Sequence, residues 1–193
     1  MTADRAGSSP RRVFFREAVV RVVRPLSDYI EQHMDLPAGR VALRPPGAIE
    51  ESQLIDTCYR CGACREECPA DAIFPLDKGE GDAAGTPAID PDRAACVVCD
   101  GLMCTKACPS GALQPVRDPR KIRMGVAEVY KPNCVRTRSE ACTLCVDRCP
   151  LGKTAIGLRG DGPPTVLTPG CVGCGVCQLY CPTSPKAIVV RPI

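Results

Sequence analysis

CYRCGACREECP at residues 58–69 packs four cysteines into eleven residues and closes on Cys-Pro. CVGCGVCQLYCP at residues 171–182 repeats the spacing C-x2-C-x2-C-x3-C-P. Two looser quartets lie between them, Cys96, Cys99, Cys104 and Cys108, then Cys134, Cys142, Cys145 and Cys149, and each of these also ends in Cys-Pro. With Cys58, Cys61, Cys64, Cys68 and Cys171, Cys174, Cys177, Cys181 they account for all sixteen cysteines of the chain. The regular run is the bacterial spacing for cubane iron–sulfur ligation, so the pattern implies four [4Fe–4S] clusters, sixteen iron-ligating cysteines and electron transfer.

Soft sulfur suits iron in such clusters, and cysteines spaced along a tight turn can reach three corners of a cube. Proline after the fourth cysteine stops a helix and removes one N–H from the crowd around the sulfurs. Small residues inside the loops, Gly62-Ala63, Gly173 and Gly175, are expected to let backbone approach a cluster closely. Disulfides would also use an even cysteine count, but that density belongs to secreted domains, and no cleavable secretory segment is evident. Zinc favours two C-x2-C pairs with a longer spacer, unlike the compact first and last quartets.

The rest of the composition asks for such cross-links. Among 193 residues there is no Trp and there are only three Phe and four Tyr, while Gly and Pro fill 37 positions. Large apolar anchors are scarce, and inorganic clusters can staple a chain that a hydrophobic core cannot hold. The formal charge is +3. Four oxidised cubanes at about −2 each would bring it to about −5, so neither nucleic acid nor an acidic substrate is implied. Arg60, Arg65, Lys106, Arg136, Arg138 and Arg148 flank the cysteines and are candidates for local charge compensation. Tyr59 and Tyr180 lie inside the first and last quartets and are candidates to shield them from water.

The chain divides into a polar tail expected to be disordered over 1–12, an amphipathic helix over 13–34, a linker over 35–53 and a cluster region over 54–193. In the helix, Phe15, Val19, Val22, Leu26, Tyr29 and Ile30 recur at helical spacing, with Pro25 as a kink or break. The linker carries Pro37, Gly39, Pro45, Pro46 and Gly47, with at most a short strand around 41–43. Beyond it a unit repeats every 37 or 38 residues: a cysteine loop with a short helix, then a small hairpin. The hairpin pieces are Ala72–Phe74 with Thr86–Ile89, Ala112-Leu113 with Val126–Tyr130, Ala155-Ile156 with Thr165–Leu167, and a last apolar piece at Ala187–Val190 after the fourth quartet. The fold class is therefore α+β, with two bacterial-type two-cluster ferredoxin modules of short hairpins and short helices behind an N-terminal amphipathic helix. In such a module the first three cysteines of one quartet join the fourth of another. Serial pairing (first with second, third with fourth) and nested pairing (first with fourth, second with third) both suit the spacing.

The second quartet, CVVCDGLMCTKACPSGAL at 96–113, has x4 between its second and third cysteines, and the third, CVRTRSEACTLCVDRCP at 134–150, has x7 between its first and second. With RPPGAIEE at 44–51 and RMGVAEV at 123–129, this order resembles the NapG/MauM group of ferredoxin-type polyferredoxins, over about residues 41–193. The resemblance implies a redox relay. Its partners would be redox proteins: a donor such as a membrane quinol-oxidising subunit, and a terminal oxidoreductase. From a different class, an iron–sulfur assembly or maturation factor for an oxidoreductase is the alternative.

Pro10-Arg11-Arg12-Val13-Phe14-Phe15 looks like the start of a twin-arginine signal, but Arg16, Glu17, Arg21 and Arg24 interrupt the apolar stretch that should follow. No run reaches the roughly 18 apolar residues of a transmembrane helix. The expected location is cytoplasmic, with peripheral membrane association through 13–34; export by an atypical twin-arginine signal is the alternative. No catalytic residue is expected: His33 is the one histidine, and no nucleotide loop or nucleophile motif is present.

Overall fold

A computed structural model describes residues 42–193. The tail of 1–12, the helix of 13–34, His33, the arginine pair and the first part of the 35–53 segment lie outside the described residues. From Leu43 onward the segment expected as linker is packed rather than extended. Leu43 bridges Ile89, Ala48 bridges Leu113, and Arg44, Pro45 and Pro46 are fully buried.

Helix α1, Glu51–Thr57, starts where the Glu50 carboxylate accepts the Ser52 N–H and ends as Cys58 turns extended. Its Leu54 side chain is fully buried. Each cysteine quartet then contributes one single-turn helix: α2 Ala63–Glu66, α3 Met103–Lys106, α4 Leu144–Asp147 and α5 Val176–Leu179. The third cysteine of every quartet, Cys64, Cys104, Cys145 or Cys177, rides on that turn. One turn fixes more torsions than its hydrogen bonds repay, so these helices persist only through what their side chains hold.

The strands are equally short. β1 Phe74–Pro75 pairs antiparallel with β2 Pro87–Ala88, across a 3-10 segment at Lys78–Ala83. β4 Ile156–Gly157 pairs with β5 Thr165–Val166 in the corresponding place between the third and fourth quartets. The exception is β3, Gly125–Val129, which pairs along its length with β6, Ile188–Pro192, from Gly125↔Pro192 to Val129↔Ile188. Alternation along this ribbon puts Gly125, Ala127, Ile188 and Val190 inside.

The hairpin expected from Ala112-Leu113 with Val126–Tyr130 does not form. Leu113 closes back on Ala48, in front of the first quartet, while β3 closes forward on β6, behind the fourth. Each outer pairing thus brackets two consecutive quartets, 43–113 and 124–193.

Between these pairings the core is built from Leu, Ile, Val, Met and Ala, together with buried Cys96, Cys104, Cys134, Cys174, Cys177 and Cys181. Among the described residues one ion pair is deep inside: the Arg44 guanidinium grips the Glu51 carboxylate, and it donates to Thr86 Oγ1 at 3.0 Å and to the Pro87 carbonyl at 2.8 Å. Arg44 and Glu51 are the first and last residues of RPPGAIEE. Gly47, in the middle, has φ +75° and lies so close to the chain beyond Leu113 that a Cβ would stand 2.1 Å from the Gln114 carbonyl oxygen. That stretch is a clamp between the start of the described chain and β2.

Candidate metal centres

Four cavities take up the sixteen cysteines, four to each. The first is lined by Cys58, Cys61, Cys64 and Cys108, and the second by Cys68, Cys96, Cys99 and Cys104. The third is lined by Cys134, Cys142, Cys145 and Cys181, and the fourth by Cys149, Cys171, Cys174 and Cys177. In every cavity three cysteines come from one quartet and the fourth from the neighbouring one. Exchange is reciprocal between the first and second quartets and between the third and fourth; no cavity mixes the first with the fourth.

The local backbone explains the reach. Arg60 and Val98, each two residues after the first cysteine of its quartet, have φ of 54° and 51°. That left-handed turn aims the Arg60 N–H at Cys58 Sγ and the Val98 N–H at Cys96 Sγ, both at 3.4 Å. For a β-branched residue such as Val98 the conformation is an outlier that the surroundings must hold. Gly173 occupies the same place in the fourth quartet with φ +72°, and a Cβ there would stand 2.3 Å from the Gly125 nitrogen. Gly173 and Gly175 therefore have a chain-to-chain reason beside the one expected, because Gly175 presses on Pro91.

After the Cys-Pro steps the chain turns back on its own sulfurs. N–H groups of Ala72, Leu113 and Ala187 donate to Cys68, Cys108 and Cys181 Sγ, each at 3.4 Å. The Ser110 hydroxyl lies 3.6 Å from Cys108 Sγ and the Thr183 hydroxyl 3.3 Å from Cys181 Sγ. At both cysteines burial pushes the thiol up, but these donors outweigh it and the net shift is down. At several others burial wins. It pushes Cys96, Cys104 and Cys174 up to about 12 and Cys64 and Cys145 up to about 11, and raises Cys177 as well. Neighbouring thiolates add to this, Cys108 at Cys64 and Cys68 at Cys104.

Four thiolates in such a cavity are unfavourable unless a cationic body neutralises them, which iron does. No three Cys, His, Asp or Glu side chains among the described residues are grouped to hold a single metal ion. Ligands to one zinc ion converge to about 2.3 Å from a common point. Here the sulfurs are spread around a cavity, and all sixteen are free of disulfides. Four soft donors lining each cavity fit the ligand set of a [4Fe–4S] cluster.

The two halves meet at the second and fourth cavities. The Cys96 N–H donates to the Cys174 carbonyl at 3.0 Å, and Gln178 Nε2, on α5, donates to Asp92 Oδ1 at 3.0 Å. Sequence patterns carry no sign of this junction, since Asp92 and Gln178 are an ordinary polar pair far apart in the chain.

Among the flanking basic residues, Arg60 donates to the carbonyls of Asp82 at 2.7 Å and Ala84 at 2.9 Å, and Arg136 to those of Gly162 at 2.7 Å and Gly160 at 2.9 Å. Both tie a hairpin loop down beside a cavity, a structural use that the charge argument did not anticipate. Arg148 stacks on Tyr180, 4.8 Å from the ring centroid. Tyr59 lines the first cavity but is 71% exposed, so it covers little. Among the described residues no helix is long and apolar enough to cross a membrane.

Comparison with known proteins places these features in context. A family model described as a 4Fe–4S dicluster domain matches residues 57–112, which hold the first and second quartets. The chain is 38% identical to the methylamine utilization ferredoxin-type protein MauM of Methylobacillus flagellatus, with 81% of this chain and 70% of that protein aligned. It is 36% identical to MauM of Methylorubrum extorquens, over 86% of this chain and 79% of the other. The ferredoxin-type protein NapG of Escherichia coli is 35% identical, over 84% of this chain and 75% of its own length.

Proposed function

The chain belongs to the NapG/MauM group of ferredoxin-type iron–sulfur proteins, and from that premise we propose that it is an electron-transfer subunit holding four [4Fe–4S] clusters. The observation that carries the reading is the sorting of sixteen cysteines into four cavities, three from one quartet and one from its neighbour. The dicluster match over the first two quartets supports the serial pairing, in two modules at about 43–113 and 124–193. When bound, each cluster takes up or gives back one electron.

The chain's own residues do the rest. Thiolates anchor each site, and the N–H groups of Arg60, Ala72, Val98, Leu113 and Ala187 stabilise negative charge on sulfur. Leu102 and Ile73 wall the second site, and Val172 and Ile156 the fourth, keeping water away. The protein offers no substrate site of its own in this reading. Its partners are a redox donor, of the quinol-oxidising membrane type, and a terminal oxidoreductase that accepts the electrons. Peripheral membrane contact through 13–34 belongs to the same proposal.

A relay keeps its iron while it works. Mixed with a reduced donor and an oxidised acceptor in a stopped-flow cell, the protein is expected to show visible bleaching and recovery at turnover rates, with iron content unchanged. Loss of iron to an apo-enzyme, without such cycling, would support an assembly factor instead.

A further inference from the structure

Resting on the reading that each four-cysteine cavity holds a cubane, we propose that electrons pass through the sites in the order first, second, fourth, third. Chain order would make the second and third sites neighbours. The fold does otherwise. Helix α2 packs beside α3, and α4 beside α5, so the first site adjoins the second and the third adjoins the fourth. Across the halves, the backbone hydrogen bond from Cys96 to Cys174 joins a lining residue of the second cavity to one of the fourth. Gln178 reinforces the junction: its Nε2 holds Asp92 while its Oε1 accepts the Val190 N–H at 2.8 Å.

The first and third sites are therefore the two ends. Each hop removes one electron from one site and adds it to the next, with no bond made or broken and no proton required. A one-electron centre of the donor protein is oxidised at one end, and an oxidised centre of the acceptor protein is reduced at the other.

Spin–spin interaction between reduced clusters reads the order directly. In the full chain carrying Cys61→Ala and Cys142→Ala, which disables the first and third sites, the two remaining centres are expected to split each other's EPR lines. With Cys99→Ala and Cys177→Ala, which disables the second and fourth, splitting is expected to vanish. The opposite pattern overturns the order. Should a double variant hold no iron, Asp92→Ala supplies the answer, since it removes the Gln178–Asp92 hydrogen bond that ties the second site's half to the fourth's. One of the three neighbour splittings of the unsubstituted chain is expected to weaken, and an unchanged spectrum overturns the proposal. Iron content separates the two levels: an unsubstituted chain that saturates below about twelve irons defeats the four-cluster reading itself, whereas full iron with the wrong splittings defeats only the order.

A separate observation distinguishes the ends from the middle. The fourth cysteines of the first and third cavities are followed by Pro-Ser110 and Pro-Thr183, whose hydroxyls reach Cys108 and Cys181. The fourth cysteines of the second and fourth cavities, Cys68 and Cys149, are followed by Pro-Ala70 and Pro-Leu151, whose side chains carry no hydroxyl or other donor. A sulfur bound to iron carries no proton, so the hydroxyl must be the donor. We infer that Ser110 and Thr183 are positioning residues that raise the reduction potentials of the two end sites, because a donor to sulfur favours the more negative, reduced form. In Ser110→Ala and Thr183→Val, one reduction equilibrium is expected to become about tenfold less favourable, about 59 mV for one electron, at full iron content. Ser110→Thr is expected to restore it. Potentials unmoved at full iron would show that the hydroxyls only pack.

Discussion

Anaerobic removal of iron with a chelator is expected to unfold residues 42–193 cooperatively, and reconstitution with ferrous iron and sulfide to refold them. The four cysteine-bearing helices have four residues each, and four of the six strands have two. Ordering each residue costs about 1–2 kcal/mol of backbone entropy, which elements this short cannot offset alone. Apolar burial helps less than in most cores, because the largest fully buried apolar side chains are Leu, Ile and Met, with no aromatic ring among them. The first cavity ties Cys58–Cys64 to Cys108 and the second ties Cys68 to Cys96–Cys104, so each bound body closes a long loop in both directions. Binding free energy at such sites is folding free energy. Circular dichroism and visible absorbance should fall together as iron leaves, and a native-like spectrum in the iron-free chain would show that the polypeptide folds on its own.

Arg44→Met is expected to cost about 3–5 kcal/mol, the largest effect of any single replacement away from the cysteines. Arg44 is fully buried and Glu51 nearly so, and the guanidinium satisfies the carboxylate, the Thr86 hydroxyl and the Pro87 carbonyl at once. Removing it leaves a carboxylate inside without a partner. The double replacement Arg44→Met with Glu51→Leu is expected to recover most of the loss, since no buried charge then remains. The midpoint for loss of visible absorbance in guanidinium, measured under nitrogen, reads both effects. A single variant as stable as the parent would mean that water reaches Glu51.

The cysteine spacing announced the chemistry because ligands must lie close in sequence to share one turn. The two short hairpins were legible for the same reason: Phe74 and Ala88, or Ile156 and Val166, are near neighbours in the chain. The partners of Ala112-Leu113 and of β3 were not. Leu113 meets Ala48, and Val126 meets Arg191, across spans in which local pattern says nothing about which strand is nearest. RPPGAIEE read as linker because Pro and Gly usually mark exposed turns and Arg is usually solvated. Here a compensating Glu51 seven residues on makes burial of Arg44 affordable. The sorting of cysteines into cavities was equally illegible, since two reciprocal exchanges satisfy the spacing whichever quartets take part. The clamps formed by Arg60 and Arg136 carry no sequence signal at all, because their partners are backbone carbonyls.

The proposed relay requires four cubanes in four cysteine cavities, and metal analysis of the full chain tests that most directly. After anaerobic reconstitution, about sixteen iron and sixteen acid-labile sulfide per chain are expected. A preparation that holds zinc, or that saturates below about twelve iron per chain, would contradict it.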